Sequence, residues 1–219
     1  FSILIPTWNN LDYLKLCIDS IRKNSDLKHQ IIVMINEGSD GTDEWVKSQK
    51  GLSYVYSPTN IGICYGLNSC RPLMETNYML YANDDMYFLP HWDKTLMEEV
   101  NKIGHEMYML SSTMIEPFDT QNPCVIVSDF GDSIETFQEN NLLKKYEKLD
   151  KPDWSGSTWP PNLLPVKLWD LVGGMSTEFS PGMYSDPDLS KNYGILVFVI
   201  LKGLEKAKFT ILVQNRPVV

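Results

Sequence analysis

Long hydrophobic runs are absent from this sequence. The longest in its 219 residues is the seven-residue stretch 195–201, well short of the roughly 20 apolar residues that carry a helix across a bilayer. Positive charge is scarce too. Nineteen Lys and Arg stand against 28 Asp and Glu, a net charge of −9. That leaves too little cationic surface for general nucleic-acid binding, which works by neutralising phosphates. The four cysteines, Cys17, Cys64, Cys70 and Cys124, form no C-x-x-C pair and have no His at metal spacing. Reduced, buried thiols in a cytoplasmic protein are the expected state. Of three histidines, His29 and His105 stand in surface-type contexts, and His91 opens a helix in a structural role. There is no initiator Met and no visible secretory signal, because Phe1 already lies in a strand-like run. A trimmed chain or fragment is expected, with an upstream export signal left open. What is present is ordinary globular material, 43% hydrophobic and 21% charged, which excludes disordered and fibrous classes.

The first half alternates two periodicities. Residues 1–5 form a short apolar run ended by Pro6, and 11–21 space Leu11, Leu14, Ile18 and Ile21 as a helix. Strand-like runs recur at 31–35, 52–56, 78–82 and 107–111, with helical stretches at 42–48, 61–73 and 90–103 between them. Continuous apolar strands separated by helices indicate a parallel sheet covered on both faces. Such sheets bind ligands beyond the carboxyl ends of their strands. From 116 to 161 the pattern breaks into a less regular lobe with a polar helix expected at 135–148.

Three polar clusters fall at strand ends. After the fourth strand come Asn83, Asp84 and Asp85. Adjacent carboxylates at a buried strand exit repel unless a cation or a donor compensates, and hard oxygen ligands suit Mg²⁺ or Mn²⁺. Taken alone the cluster also reads as a solvated Asp-rich turn; its place at the sheet edge favours metal. After the second strand, residues 36–42 read NEGSDGT, a glycine turn capping a helix or a carboxylate able to accept a base N–H. After the first, Pro6, Thr7, Trp8, Asn9 and Asn10 make a plain loop or a nucleotide platform.

In this order, PTWNN, NEGSDGT, Asn60-Ile61-Gly62 and NDDM, the chain resembles the inverting glycosyltransferases of family 2, which have the GT-A fold. Members carry P-T-[YW]-N, D-[DN]-G-S-x-D-G-T, N-x-G-x-x-x-A-x-N and a D-x-D-like motif; here Asn60, Gly62, Gly66 and Asn68 occupy the third. The likeness is close over 1–110 and resumes at 169–189, where VGGM precedes SDPDL. It implies an α/β fold with a Rossmann-like, mostly parallel central sheet, helices on both faces and a less regular acceptor-side lobe. Residues 1–219 would be one domain, with 1–112 binding the nucleotide sugar and 113–219 the acceptor. The resemblance further implies that Pro6, Thr7 and Asn9 line the nucleotide site and that Glu37, beside Ser39, faces the base. Asn60, Gly62, Asn68 and Asn83 would complete the donor site. Asp84 would touch the ribose or metal, and Asp85 would bind the Mn²⁺ or Mg²⁺ that holds the diphosphate. Asp186 falls where the family places its catalytic base, preceded by Ser185 in place of Glu. Trp154 and Trp159, whose faces can stack on sugar rings, and Asp188 are acceptor-site candidates.

The implied activity is metal-dependent transfer of a sugar, UDP-linked in the commonest case, to a glycan or lipid-linked acceptor, with peripheral membrane association at the inner face open. Two rivals stand beside it. A nucleotidyltransferase would carry a cationic phosphate loop after strand one, which PTWNN does not supply. A catalytically impaired nucleotide-sugar-binding protein differs only in turnover. That rival gains from the tail, where the resemblance stops after Ser190. Members continue with L-W-x-x-G, R-x-F-K-G and a strand ending V-Y-H, whose His often assists the metal or diphosphate. Here 191–201 read KNYGILVFVIL, an apolar run without a helical stripe. Allowed codons for 192–203, read from the third base, give LWNFGVRYFKG, and those for 208–214 give VYHFGS. A shifted reading frame is thus preferred to a divergent strand at 196–201, leaving the donor half intact but the late Arg and His missing.

Overall fold

The computed structural model describes residues 1–155, 159–195 and 200–212. The first half follows the expected alternation. Strand β1 (Ser2–Trp8) leads to α1 (Leu11–Asn24), β2 (Gln30–Asn36), α2 (Thr42–Ser48), β3 (Leu52–Ser57), α3 (Gly62–Cys70) and β4 (Tyr78–Tyr81). Then come β5 (Met86–Phe88), α4 (Trp92–Ile103) and β6 (Tyr108–Glu116). The remainder is β7 (Val125–Val127), α5 (Glu139–Lys145), β8 (Trp154–Ser155), β9 (Asn162–Pro165), α6 (Val166–Val172), α7 (Ser185–Ile195) and β10 (Ile200–Ile211).

One sheet runs in the order β3-β2-β1-β4-β9-β6-β10-β5, with β7 beside β6 and β8 beside β10. β3, β2, β1 and β4 are mutually parallel, whereas β9 is antiparallel to both its neighbours and β10 is antiparallel to β5. Pairing on the two sides of β1 sets its outer end. Contrary to the sequence expectation, β1 passes through Pro6. The Leu4 carbonyl accepts from Ala82 N–H, so Leu4 and, two residues on, Pro6 face β4. That pairing ends at Leu4, while pairing with β2 continues to Trp8. The donor that proline lacks is therefore not called on.

The strand period sorts side chains into two cores. Ile3 and Ile5 pack with Leu14, Cys17 and Ile18 of α1 and with Trp92 and Leu96 of α4. Leu4, Ile32 and Met34 pack on the other face with Cys64 and Leu67 of α3, Trp169 of α6, and Leu189 and Tyr193 of α7. All four cysteines are buried and unpaired, as expected. His29, expected at the surface, is not there: its side chain is 3% exposed and its Nε2 lies 2.8 Å from the buried Asp93.

The lobe has a small core of its own, with Phe130, Leu142 and Tyr146 against Tyr87 and Ile115. Its helix starts at Glu139 rather than 135, because Thr136 Oγ1 is taken up by a turn with Asp132 and Ser133. In the tail, α7 extends to Ile195, and Tyr193, fully buried, closes it onto the second core. β10 then crosses the sheet with Leu204, Ala207 and Phe209 buried. Parts of the expected divergent strand (196–199) and of the shifted-frame reading (196–199 and 213–219) lie outside the described residues.

Candidate active site

The carboxyl ends of β1 and β2 hold the first two clusters side by side. Asn9 and Glu37 both have left-handed backbone, φ 48° and 66°, a conformation that costs non-glycine residues energy and recurs at functional turns. The Trp8 indole N–H donates to Glu37 Oε2 at 2.8 Å, and the Ser39 hydroxyl lies 3.4 Å from Glu37 Oε1 and 3.3 Å from Asn9 Oδ1. Asp40 braces the turn by accepting from Leu11 N–H, Thr42 N–H and the Thr42 hydroxyl. Burial opposes its charge, but these donors hold its carboxyl below the ordinary value. A cleft of about 600 Å³ opens here between Glu37, Ser39, Asp40, Tyr56 and Pro58. Pro6 and Thr7 are buried within β1 and do not line this cleft, and Thr7 Oγ1 is enclosed with no partner.

The acid pair stands where β4 ends and the chain turns into β5. Tyr81 donates its phenol to Asn83 Oδ1 at 3.0 Å, and the Asp85 carbonyl accepts from Leu212 N–H at the end of β10. Asp85 Oδ1 is enclosed without a hydrogen-bonding partner. Burial first, then the neighbouring Asp84 charge, pushes the Asp85 carboxyl up to about 7.

Asp186 arrives from the far end of the chain, in the first turn of α7. Its Oδ1 is also enclosed and unpartnered, and burial raises its carboxyl to about 7. The three acids share a neighbour. Burial, then the charges of Asp186, Asp85 and Asp84, hold the Tyr81 phenol well above its ordinary value. Asp186 and the acid pair thus all lie within electrostatic reach of one buried tyrosine, which lies within a plain apolar strand and carries no signal of its own in the sequence. Trp8, the partner of Glu37, likewise stood in the sequence without an assigned role.

The other expected residues take different places. Asn60 is exposed and caps Gly62 N–H. Gly62 packs under Pro181, and Asn68 closes on the backbone of Met175. Trp154 is half-buried in β8 against the first core, whereas Trp159 is 43% exposed. Asp188 accepts from Asn192 Nδ2 within α7.

The enclosed, unpartnered oxygen of Asp85 next to a second carboxylate fits a hard divalent cation. Among the described residues no three His, Cys, Asp or Glu side chains converge on one point. Two carboxylates with water and substrate phosphates in the remaining positions are the usual Mg²⁺ arrangement at phosphate sites.

A parallel half-sheet with acids at its carboxyl edge and a mixed second half is the architecture of GT-A glycosyltransferases. The chain superposes on S. aureus TarS 1–349 with a TM-score of 0.69 at 14% identity, covering 96% of this chain and 60% of that one. The same protein solved in complex with UDP-GlcNAc gives 0.69 and 14%, over 99% and 59%. GalNAc-T7 with UDP, GalNAc and Mn²⁺ gives 0.71 and 11%, over 96% and 43%. The chain therefore spans about 60% of the TarS fragment. No curated protein sequence matches it. The profile of glycosyl transferase family 2 matches residues 2–156, and the chain belongs to that family. Among the described residues no helix is long and apolar enough to cross a membrane.

Proposed function

We propose that the chain is a metal-dependent inverting glycosyltransferase that takes a UDP-linked sugar and passes it to a glycan or lipid-linked acceptor. The observation that carries this reading is the pair of enclosed, unpartnered carboxylate oxygens, Asp85 Oδ1 and Asp186 Oδ1, both within electrostatic reach of one buried tyrosine. Two carboxyl groups kept poised near neutrality at a sheet edge are costly unless they serve a charge or a proton.

In this reading the cleft at Glu37 takes the base. Glu37, fixed by Trp8 and Ser39, accepts the imino N–H of uracil, and Pro6, Thr7 and Asn9 flank the nucleoside. Asn83 and Asp84 stand nearest the ribose. Asp85 and Asp84 would hold a divalent cation, Mn²⁺ or Mg²⁺, which when bound offsets the charge gathering on the leaving diphosphate. Asp186 takes the proton of the acceptor hydroxyl as that oxygen attacks the anomeric carbon from the face opposite the diphosphate, so the anomeric configuration inverts. Residues 1–112 serve the donor and 113–219 the acceptor within one domain. Trp159, exposed, is the better placed of the two tryptophans to stack on an acceptor sugar; peripheral contact with a membrane would follow from a lipid-linked acceptor. The UDP-bound and Mn²⁺-bound states of the structural neighbours support this choice of donor and metal.

The test is a thermal-shift screen of nucleotide sugars with Mn²⁺ and with chelator, followed by calorimetry of UDP on wild type and Asp85→Ala. Ligand binding raises apparent stability by mass action. The expected result is UDP binding at least about tenfold tighter with Mn²⁺ in wild type and nearly equal with and without it in Asp85→Ala. Equal binding by both proteins under both conditions removes the metal from the reading.

A further inference from the structure

The segment that bears Asp186 is fastened to the donor half through α3, and the fastening residues are those of the Asn60–Gly62 motif and Asn68. Asn68 Nδ2 donates to the Met175 carbonyl at 2.8 Å, and its Oδ1 accepts from Met175 N–H at 2.9 Å. An amide that closes on both the N–H and the C=O of one residue fixes the position and the orientation of that residue. The approach is tight: a Cβ at Gly174 would run into Asn68 Oδ1 and the Trp169 ring.

Six residues before Asn68, a second fastening holds the far side of the same segment. Gly62, at φ 76°, lies so close beneath Pro181 that a Cβ would come within 2.6 Å of its Cα. Ile63 N–H donates to the Pro181 carbonyl at 2.6 Å. Ile61 N–H, in turn, is held by Asn36 Oδ1 at 3.0 Å, which ties the contact to the end of β2. The chain between the two fastenings runs from 175 to 181 and enters α7 four residues later, with Asp186 in the first turn.

We propose that Asn68 and Gly62 are positioning residues for Asp186. They dock the segment 174–186 on α3, and so fix where its carboxylate stands relative to the acid pair Asp84 and Asp85. The inference rests on the proposed role of Asp186 as base. It gives these two motif residues a different task from donor contact, and neither touches the reacting atoms. The two halves of the site are thereby set at a fixed separation by the donor half itself.

The experiment compares the full chain with Asn68→Ala and Asn68→Asp. Hydrogen exchange is followed over 174–189, UDP binding by calorimetry with Mn²⁺, and turnover with the nucleotide sugar that the stability screen selects. In Asn68→Ala, exchange over 174–189 should quicken while UDP affinity stays within about twofold. Turnover should fall about tenfold to a hundredfold, the range that a misplaced reacting group costs. Asn68→Asp keeps the acceptor for Met175 N–H and loses the donor to its carbonyl, so it should fall between the two and serves alone if Asn68→Ala does not fold. Unchanged exchange over 174–189 overturns the docking, and so does a loss of UDP affinity that matches the loss of turnover. If wild type fails to bind UDP, the functional reading falls. The exchange comparison then decides the docking by itself, with quickened exchange for it and unchanged exchange against it.

Discussion

Trp8 donates its indole N–H to the carboxylate of Glu37 across the ends of two parallel strands, at 2.8 Å. The bond joins two clusters that stand 29 residues apart in sequence and are adjacent because β1 and β2 pair in register through Trp8 and Asn36. It also decides which way a strained residue points, since Glu37 has positive φ. Trp8→Phe keeps an aromatic face and removes the donor. A hydrogen bond to a charged group contributes about 1.5–3 kcal/mol when enclosed, and less at the partial exposure of this pair. UDP affinity should therefore drop about three- to tenfold in Trp8→Phe, while CDP, which presents no imino N–H, should change less. Calorimetric titration of both nucleotides checks this, and equal losses for the two would detach Trp8 from base recognition.

Asp186 carries a carboxyl held up at about 7 by burial, and this has a kinetic and a thermodynamic consequence. In its proposed role as base it works only when charged, so transfer should rise with pH through about 7 and level off above it. Asp186→Asn should keep UDP binding and lower transfer by roughly 10²–10⁴-fold. Stability moves the other way. The unfolded carboxyl is charged above about 4, whereas the folded one remains protonated until about 7. Folding takes up a proton between those values, so stability declines as pH rises across the window and then levels. Asparagine does not bear that penalty. The melting temperature of Asp186→Asn should exceed that of wild type increasingly from pH 4 to pH 7, measured by calorimetry in parallel buffers. A variant less stable than wild type at pH 8 would contradict the buried, unpartnered placement.

Asp93 is the opposite case, a buried carboxylate with every need met. It is fully buried and accepts from Asp26 N–H at 3.1 Å, Leu27 N–H at 2.7 Å and Lys94 N–H at 2.8 Å, with His29 Nε2 at 2.8 Å. Burial opposes its charge, but His29 and the three backbone donors hold its carboxyl below the ordinary value. The resulting stabilisation is present above the unfolded value near 4 and is lost as pH falls through the lower folded one. Asp93→Ala leaves a histidine and three N–H groups without their acceptor and should cost about 3–5 kcal/mol at pH 7. Urea unfolding at pH 7 and pH 3 should show the difference between the proteins shrinking at the lower pH.

The first half of the chain was legible because local rules and tertiary context agree there. Residues 42–48 form the helix their spacing predicts, and the apolar runs at 31–35 and 52–56 are strands to within one residue at each end. Beyond β4 the sheet relies on pairings that no local pattern announces. β5 and β9 are three and four residues long, too short for a period to register, and β9 lies between β4 and β6 only because the chain returns from the lobe. The site shows the same division. Asp84 and Asp85 were marked by their place after a strand and Asp186 by the family resemblance, while Tyr81, which lies within reach of all three charges, reads as one more apolar strand residue. Asn68 was visible as a motif residue, but its task depends on Met175, 107 residues away.

The tail gives the last prediction, because the end of β10 lies against the acid pair. β10 runs antiparallel to β5, with Phe209 opposite Phe88, Thr210 opposite Tyr87 and Ile211 opposite Met86. The next residue, Leu212, donates its N–H to the Asp85 carbonyl at 3.0 Å. The backbone at 210–212 therefore lies alongside the segment 85–87 that begins with the proposed metal ligand Asp85. In this chain the residues at 210–212 are Thr, Ile and Leu; the Thr210 hydroxyl is donated to the Ile115 carbonyl at 2.7 Å, and none of the three offers an imidazole or a carboxylate. In the shifted frame the codons of 208–212 read V-Y-H-F, which brings an imidazole, a common metal ligand, to this edge. A chain rebuilt with the shifted-frame tail should bind UDP with a stronger dependence on Mn²⁺ and turn over donor at least about tenfold faster than the printed chain, since a missing ligand or diphosphate contact acts on the leaving group in the transition state. Calorimetry with and without Mn²⁺ and a UDP-release assay on the two proteins decide it. Equal metal dependence and equal turnover would mean that the printed β10, with Phe209 in the core and Leu212 tied to Asp85, is the tail this site was built with.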